Sequence, residues 1–144
     1  MKKELYSEIE INATSDRVWR VLTDFLTYPI WNPFIREIRG NAAAGEKLRV
    51  FLQPSGSRGM VFKPTVLKAE KNRELRWLGK LFFSGLFDGE HYFRIEPMDD
   101  TRVKFIQAEV FSGILVRLFA KSLDKDTLRG FSEMNEALKK RSEG

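Results

Sequence analysis

Apolar and polar positions alternate along the first eleven residues. Leu5, Ser7, Ile9 and Ile11 share one side and Glu4, Tyr6, Glu8 and Glu10 the other, the period of two of a half-buried strand. In Asn12-Ala13-Thr14-Ser15-Asp16, Thr14 or Ser15 can accept an N–H bond as a helix N-cap, and Asp16 sets negative charge at the positive end of the helix dipole. Val18, Val21, Leu22 and Phe25 then recur at helical spacing and predict a short amphipathic helix. Pro29 and Pro33 stop a long second helix, so only a short helical turn is expected over roughly Asp24 to Tyr28.

From Phe34 to Phe111 the pattern is that of strands: Phe34–Ile38, Lys47–Gln53, Met60–Ala69, Leu75–Leu81, His91–Glu96 and Arg102–Phe111, separated by turn-forming clusters. Connections this short predict an antiparallel meander, because parallel strands need long crossovers. With the opening strand the count is seven. The chain then reads as one long helix, with Leu115, Leu118, Phe119, Leu123, Phe131, Met134 and Leu138 recurring every three or four positions. About 25 residues would span close to 40 Å. Gly130 within it costs about 1 kcal/mol relative to alanine and marks either a kink or a close approach of the backbone to something beneath.

An amphipathic sheet and an apolar helical stripe must each be covered, and covering one with the other is the economical solution. A helix about 10 Å wide leaves part of a curved seven-stranded sheet unfilled, so either large side chains plug the remainder or a pocket stays open. Leu48, Val50 and Leu52, then Leu75, Trp77, Gly79 and Leu81, and then His91, Phe93 and Ile95 form the inward sets. In the last strand, inward Val103 and Phe105 bring Gln107, Glu109 and Phe111 to the same side. Because Ile106, Ala108 and Val110 are apolar too, a bulge that turns Gln107 and Glu109 to solvent is the alternative.

Composition narrows the chemistry. The 144 residues suit a single domain over 1–144. No cysteine means no disulfide, zinc-thiolate site or thiol nucleophile, and a single histidine, His91, cannot build an all-histidine metal site. No metal or other cofactor is expected. The net charge of +5 is spread among acids without a recognition helix or dense basic run, so nucleic acid is not the expected partner. Nothing matches a phosphate loop, dinucleotide fingerprint or nucleophile elbow. No apolar run exceeds three residues and the start lacks a signal-peptide core, so a cytoplasmic protein without stable membrane insertion is expected, as a monomer or weak homodimer.

The element order, with Ala13-Thr14-Ser15-Asp16-Arg17-Val18-Trp19, Tyr28-Pro29-Ile30-Trp31-Asn32-Pro33-Phe34-Ile35, Glu74-Leu75-Arg76-Trp77, Gly89-Glu90-His91-Tyr92-Phe93-Arg94-Ile95, and Thr101-Arg102-Val103 leading to Glu109-Val110-Phe111-Ser112-Gly113, resembles the START-like, or SRPBCC, superfamily. The likeness runs over nearly the whole chain and is nearest its polyketide cyclase/dehydrase-like branch. It implies an α+β helix-grip fold: a seven-stranded curved antiparallel sheet wrapped around the long C-terminal helix, with two short helices between strands 1 and 2. It also implies either a carrier or an enzyme.

His91, inward and mid-strand, has an imidazole suited to proton transfer. Glu109 or Gln107 across the same wall could orient it, and a carboxylate–imidazole pair can serve enolisation or dehydration. The competing reading is a core histidine satisfied by its neighbours. Trp31, Phe34, Trp77, Phe87, Phe93 and Phe119 are either an aromatic lining for a ligand or ordinary core. Gln107, Ser122 and Asp126 could meet a ligand's polar group, and Phe83 to Gly89, with Leu86 and Phe87 exposed, is either a lid or a plain hairpin connection. The expected function is binding of an apolar small molecule or lipid in a cavity between sheet and helix. The alternative is a polyketide cyclase/dehydratase-like enzyme with His91 and Glu109 as the acid/base pair.

Overall fold

The computed structural model describes residues 2–81, 85–118 and 123–144, apart from the side chains of Leu81, Leu123 and Asp124. Strand β1 (Lys2–Ile11) buries Leu5 and Ile11 and exposes Glu4, Tyr6, Glu8 and Glu10, as its alternation dictates. Thr14 is the N-cap of helix α1 (Ser15–Thr23), its side chain accepting from Arg17 N at 3.1 Å. A 3-10 turn (Phe25–Thr27) and helix α2 (Tyr28–Trp31) follow, with Pro29 in the first turn of α2, where a missing N–H costs nothing.

Among the described residues eight strands form two antiparallel sheets, five in the order β1-β8-β7-β6-β5 and three in the order β2-β3-β4. The remaining ranges are β2 (Ile35–Arg39), β3 (Arg49–Leu52), β4 (Met60–Phe62), β5 (Thr65–Glu70), β6 (Glu74–Leu81), β7 (Phe87–Pro97) and β8 (Val103–Ser112). The expected single strand Met60–Ala69 is therefore two. Pro64 cannot donate to a ladder, and at this point the chain leaves β3 and passes to the larger sheet, held to the 45–48 segment by bonds such as Leu48 N to Pro64 O at 2.9 Å. The count rises from seven to eight, and one sheet becomes two.

No register shift interrupts β7 against β8, and His91 stands opposite Glu109. The bulge alternative is thereby removed. The apolar residues on the other face have their own function: Ile106, Ala108 and Val110 cluster with Tyr92, whose ring lies under the guanidinium groups of Arg76 and Arg94 at 4.4 and 5.1 Å.

The C-terminal helix α3 (Leu128–Glu143) is 16 residues long, about 24 Å. It is preceded by a π-type turn (Leu123–Thr127), and residues 116–118 are helical as well. Leu118, expected on the inner stripe, is 75% exposed, and Val116 is buried in its place. Helix α3 packs on β1, β8, α1 and α2. Arg17 of α1 fastens its far end by donating to the carbonyls of Ser142 and Arg141 at 3.3 and 3.1 Å, and this satisfies acceptors that a helix end leaves open. The close approach at Gly130 is to Phe34, whose ring would lie 2.3 Å from any Cβ there.

Candidate functional site

The inward faces of β6, β7 and β8 each run from solid core to open space. On β7, Ile95 and Phe93 are buried in the core, while His91, Gly89 and Phe87 border a cavity. On β8, Phe105 is core and Glu109 and Phe111 border the same cavity; on β6, Leu75 is core and Trp77 and Gly79 border it. Gly79 and Gly89 are direct partners across the β6–β7 ladder. Two adjacent inward positions therefore carry no side chain, and the first fully buried aromatic of α3, Phe131, lies on the core side against Phe34 and His91. With two glycines facing each other, the strands offer little to fill this end.

What remains is a cavity of about 310 Å³, near the lower end of the roughly 300–1,000 Å³ typical of small-molecule sites. Its second wall comes from the smaller sheet, with Val50, Leu52, Met60 and Phe62, and from Pro64. Exposed Arg58 and Met60 mark its open side, and Asp126 and Thr127 of the π-type turn border it. Arg129 ties the rim together, donating to Ser55 O at 2.6 Å and to Asp126 at 3.3 Å, while Ser55 Oγ donates to the Glu133 carboxylate at 2.8 Å. A second depression, of about 610 Å³, lies among Lys68, Glu70, Arg73, Glu74, Arg94 and Glu96. Its charges pair with one another across the sheet surface, Arg94 with Glu74 at 3.1 Å and Lys68 with Glu70 at 3.5 Å, and it offers an apolar ligand little to bury against.

The apolar cavity carries a hydrogen-bonded ionisable pair, His91 and Glu109, in its wall. The His91 ring is 2% exposed, stacks on Trp77 at 5.3 Å and touches Phe93 at 4.7 Å. Its Nδ1 lies 3.2 Å from Glu109 Oε1 and its Nε2 3.0 Å from Gln107 Oε1. Both ring nitrogens are thus engaged. The atom left for a ligand is Glu109 Oε2, which sits beside Gly89, where a Cβ would come within 2.4 Å of it. Gly89 makes room for this carboxylate. Behind the ring, Gln107 Nε2 donates to Asn135 Oδ1 at 2.8 Å and Asn135 Nδ2 to Ser7 Oγ at 3.0 Å, and the Ser7 hydroxyl donates to the Gln107 carbonyl at 2.7 Å.

Of the residues singled out from sequence, Phe34, Trp77, Phe87, His91 and Glu109 border the cavity, as does Asp126. Three others do not. Trp31 packs edge-on against Tyr28 and donates to Thr27 Oγ1 at 3.2 Å. Phe93 is fully buried beneath His91, and Gln107, also fully buried, backs the imidazole. Phe119 and Ser122 lie outside the described residues, as do Phe83 and Ser84 of the expected lid. Phe87 to Gly89 belong to β7, paired with Leu81 to Gly79, and Leu86 and Phe87 are half-buried rather than exposed. The contributions of Val50, Leu52, Met60, Phe62 and Arg58 were not anticipated. The inward parity of Val50 and Leu52 was legible, but the folding of the smaller sheet over the larger one was not. Among the described residues no three His, Asp or Glu side chains come together so as to hold a metal ion, and no helix is long and apolar enough to cross a membrane.

The family model for polyketide cyclase / dehydrase and lipid transport matches residues 2–143. No curated protein matches the chain. Among solved structures it is similar to a norcoclaurine synthase point mutant from Thalictrum flavum in complex with a transition-state analogue, with TM-score 0.74, 14% identity and coverage of 99% of this chain and 94% of that one. It is similar to the ZhuI aromatase/cyclase from Streptomyces sp. R1128, with TM-score 0.73, 16% identity and coverage of 99% and 94%. It is also similar to a START superfamily protein from Mycobacterium smegmatis, with TM-score 0.68, 21% identity and coverage of 97% of both chains. At these identities the likeness shows the fold.

Proposed function

The chain belongs to the polyketide cyclase / dehydrase and lipid transport family, and on that premise we propose that it binds an apolar small molecule in the cavity between the two sheets, at the edge of the turn that leads into the C-terminal helix, as a carrier, sensor or sequestering protein. The observation that carries this reading is a largely apolar hollow of about 310 Å³ with the hydrogen-bonded pair His91 and Glu109 in its wall. That volume suits a compact ring system better than a two-chain lipid. Fluorescence titration with N-phenyl-naphthylamine tests it: saturable enhancement at one equivalent, competed by neutral aromatic molecules, is the expected result. A linear, non-saturating response contradicts it.

A second reading, an acid–base enzyme of the cyclase/dehydratase kind, is supported by the hydrogen bond that joins His91 and Glu109 in the cavity wall. With both ring nitrogens engaged, Glu109 is the group that meets substrate and His91 is its partner, a reversal of the roles suggested by the sequence. Turnover of an activated carbonyl compound that is lost in H91A while ligand affinity and folding persist favours this reading. Binding without turnover leaves the carrier.

A further inference from the structure

The hydrogen-bond chain behind His91 has a direction, and that direction reaches the ligand. It is anchored at two groups that can only accept, the main-chain carbonyls of Gln107 and Phe131. The single hydroxyl hydrogen of Ser7 goes to the Gln107 carbonyl at 2.7 Å, so Ser7 Oγ must accept from Asn135, and Asn135 turns its Nδ2 toward Ser7. Asn135 Oδ1 is then the atom that faces Gln107, so Gln107 turns its Nε2 toward Asn135. The Phe131 carbonyl, 3.5 Å from the same Nε2, would face an oxygen if this amide were reversed. Gln107 Oε1 therefore faces His91, and the ring nitrogen opposite it, Nε2, must carry a hydrogen. Reversing the amides would draw the Ser7 hydroxyl hydrogen away from the Gln107 carbonyl and set the Gln107 amide oxygen against the Phe131 carbonyl, an unfavourable exchange in a buried network.

One hydrogen remains to be placed, between His91 Nδ1 and Glu109 Oε1 at 3.2 Å. With Nε2 already protonated, this contact is a hydrogen bond only when a hydrogen lies between the two atoms, on one or the other. In either position Glu109 Oε2 is left with lone pairs alone. Resting on the reading of the cavity as a ligand site, we propose that Ser7, Asn135 and Gln107 are positioning residues that lock His91 as its Nε2–H form, and that they thereby make Glu109 Oε2 an acceptor selecting an apolar ligand with a neutral hydroxyl donor, a phenol, enol or alcohol. A ligand that offers only an ether or carbonyl oxygen meets lone pairs and is disfavoured.

The single histidine makes the lock directly observable. Long-range proton–nitrogen correlation spectra of isotope-labelled protein contain one imidazole, and the wild type is expected to show the pattern of a ring protonated at Nε2. In S7A the anchor is gone, both amides are free to reverse, and the pattern is expected to move toward a ring protonated at Nδ1 only; S7T, which restores the hydroxyl, is expected to restore the wild-type pattern. A wild-type ring without a hydrogen on Nε2 overturns the lock whatever binds in the cavity. An unchanged pattern in S7A, with the fold intact by circular dichroism, overturns the assignment of Ser7.

Selectivity is read separately with β-naphthol and its methyl ether as probes, which share a ring system and differ in the donor. The naphthol is expected to bind wild type about tenfold more tightly, a preference worth roughly one charge-assisted hydrogen bond, and the preference is expected to shrink in S7A. Equal affinities overturn the donor assignment. If neither probe binds, the ligand-site reading fails and takes the selectivity with it, while the spectra still decide the lock.

Discussion

Filling the hollow should stabilise the protein while it blocks binding, and Gly79→Leu is the substitution that does both. A Cβ built on Gly79 has its nearest neighbours at 3.8 Å, Pro64 Cβ, and 3.9 Å, the Gly89 carbonyl oxygen, which is ordinary contact with space beyond. Full burial of a leucine side chain contributes about 1.5–3 kcal/mol. The cavity is open on one side, so roughly half of that is realised. Replacing glycine inside a strand adds about 0.5–1 kcal/mol, and fixing the leucine rotamer takes back a similar amount. The net is a gain of about 1 kcal/mol, which moves a urea midpoint upward by about 0.5 M at a slope near 2 kcal/mol/M. The same variant should lose saturable binding of N-phenyl-naphthylamine by about tenfold or more. Urea denaturation followed by tryptophan fluorescence, alongside the titration, measures both. A loss of more than about 1 kcal/mol would be the signature of overpacking and would refute the hollow. A gain in stability with unchanged affinity would place the ligand elsewhere.

Three other outcomes follow from the same geometry. Gly89→Ala puts a methyl group where Glu109 Oε2 sits; the carboxylate must move, and the preference for naphthol over its ether should fall, measured by competition titration. Gly130→Ala gains about 1 kcal/mol of helix propensity but drives a methyl group into the buried Phe34 ring, so a net loss of about 1–2 kcal/mol is expected on unfolding, and a net gain would show that Phe34 yields freely. On the outer face, burial by itself would raise the Glu74 carboxyl, but hydrogen bonds from Arg76 and Arg94 and the nearby Lys68 outweigh it and hold it below the ordinary glutamate range. A carboxylate lowered in the folded state contributes stability above its unfolded value, and that contribution is lost as pH falls through the folded one. The stability difference between wild type and E74Q should therefore be full at neutral pH and shrink below about pH 4, which denaturation at several pH values will show.

Much of this architecture was written locally. The alternation in β1, the cap at Thr14 and the inward facing of Val50, of Leu75, Trp77 and Gly79, and of His91, Phe93 and Ile95 are period-two or near-neighbour features, and they stand as the pattern predicts. The facing of Glu109 toward His91 needed only unbroken alternation along β8. What escaped was tertiary. The break at Pro64 is explicit in the sequence, but its consequence, a second sheet that closes the cavity with Val50, Leu52 and Met60, depends on how two sheets lie together. The polar chain joins Ser7, Gln107 and Asn135 across separations of 100 and 128 residues. Its one local signal was Asn135, a polar residue on the stripe formed by Phe131, Met134 and Leu138. Glycine was the quieter clue. The parity that turns Gly79 inward, carried back from His91, puts Gly89 beside it, and two facing glycines on a concave surface are a sequence signature of empty space.

If this end of the molecule is an apolar hollow that a ligand fills, the side chains around it must respond to that ligand. Methyl-selective NMR during titration with β-naphthol tests it most directly. The methyl signals of Val50, Leu52 and Met60, which border the cavity, are expected to shift and saturate at one equivalent, while those of Val18 and Leu22, buried in the core at the helix α1 side, stay in place. Signals that never move, or that drift together without saturating, would contradict it.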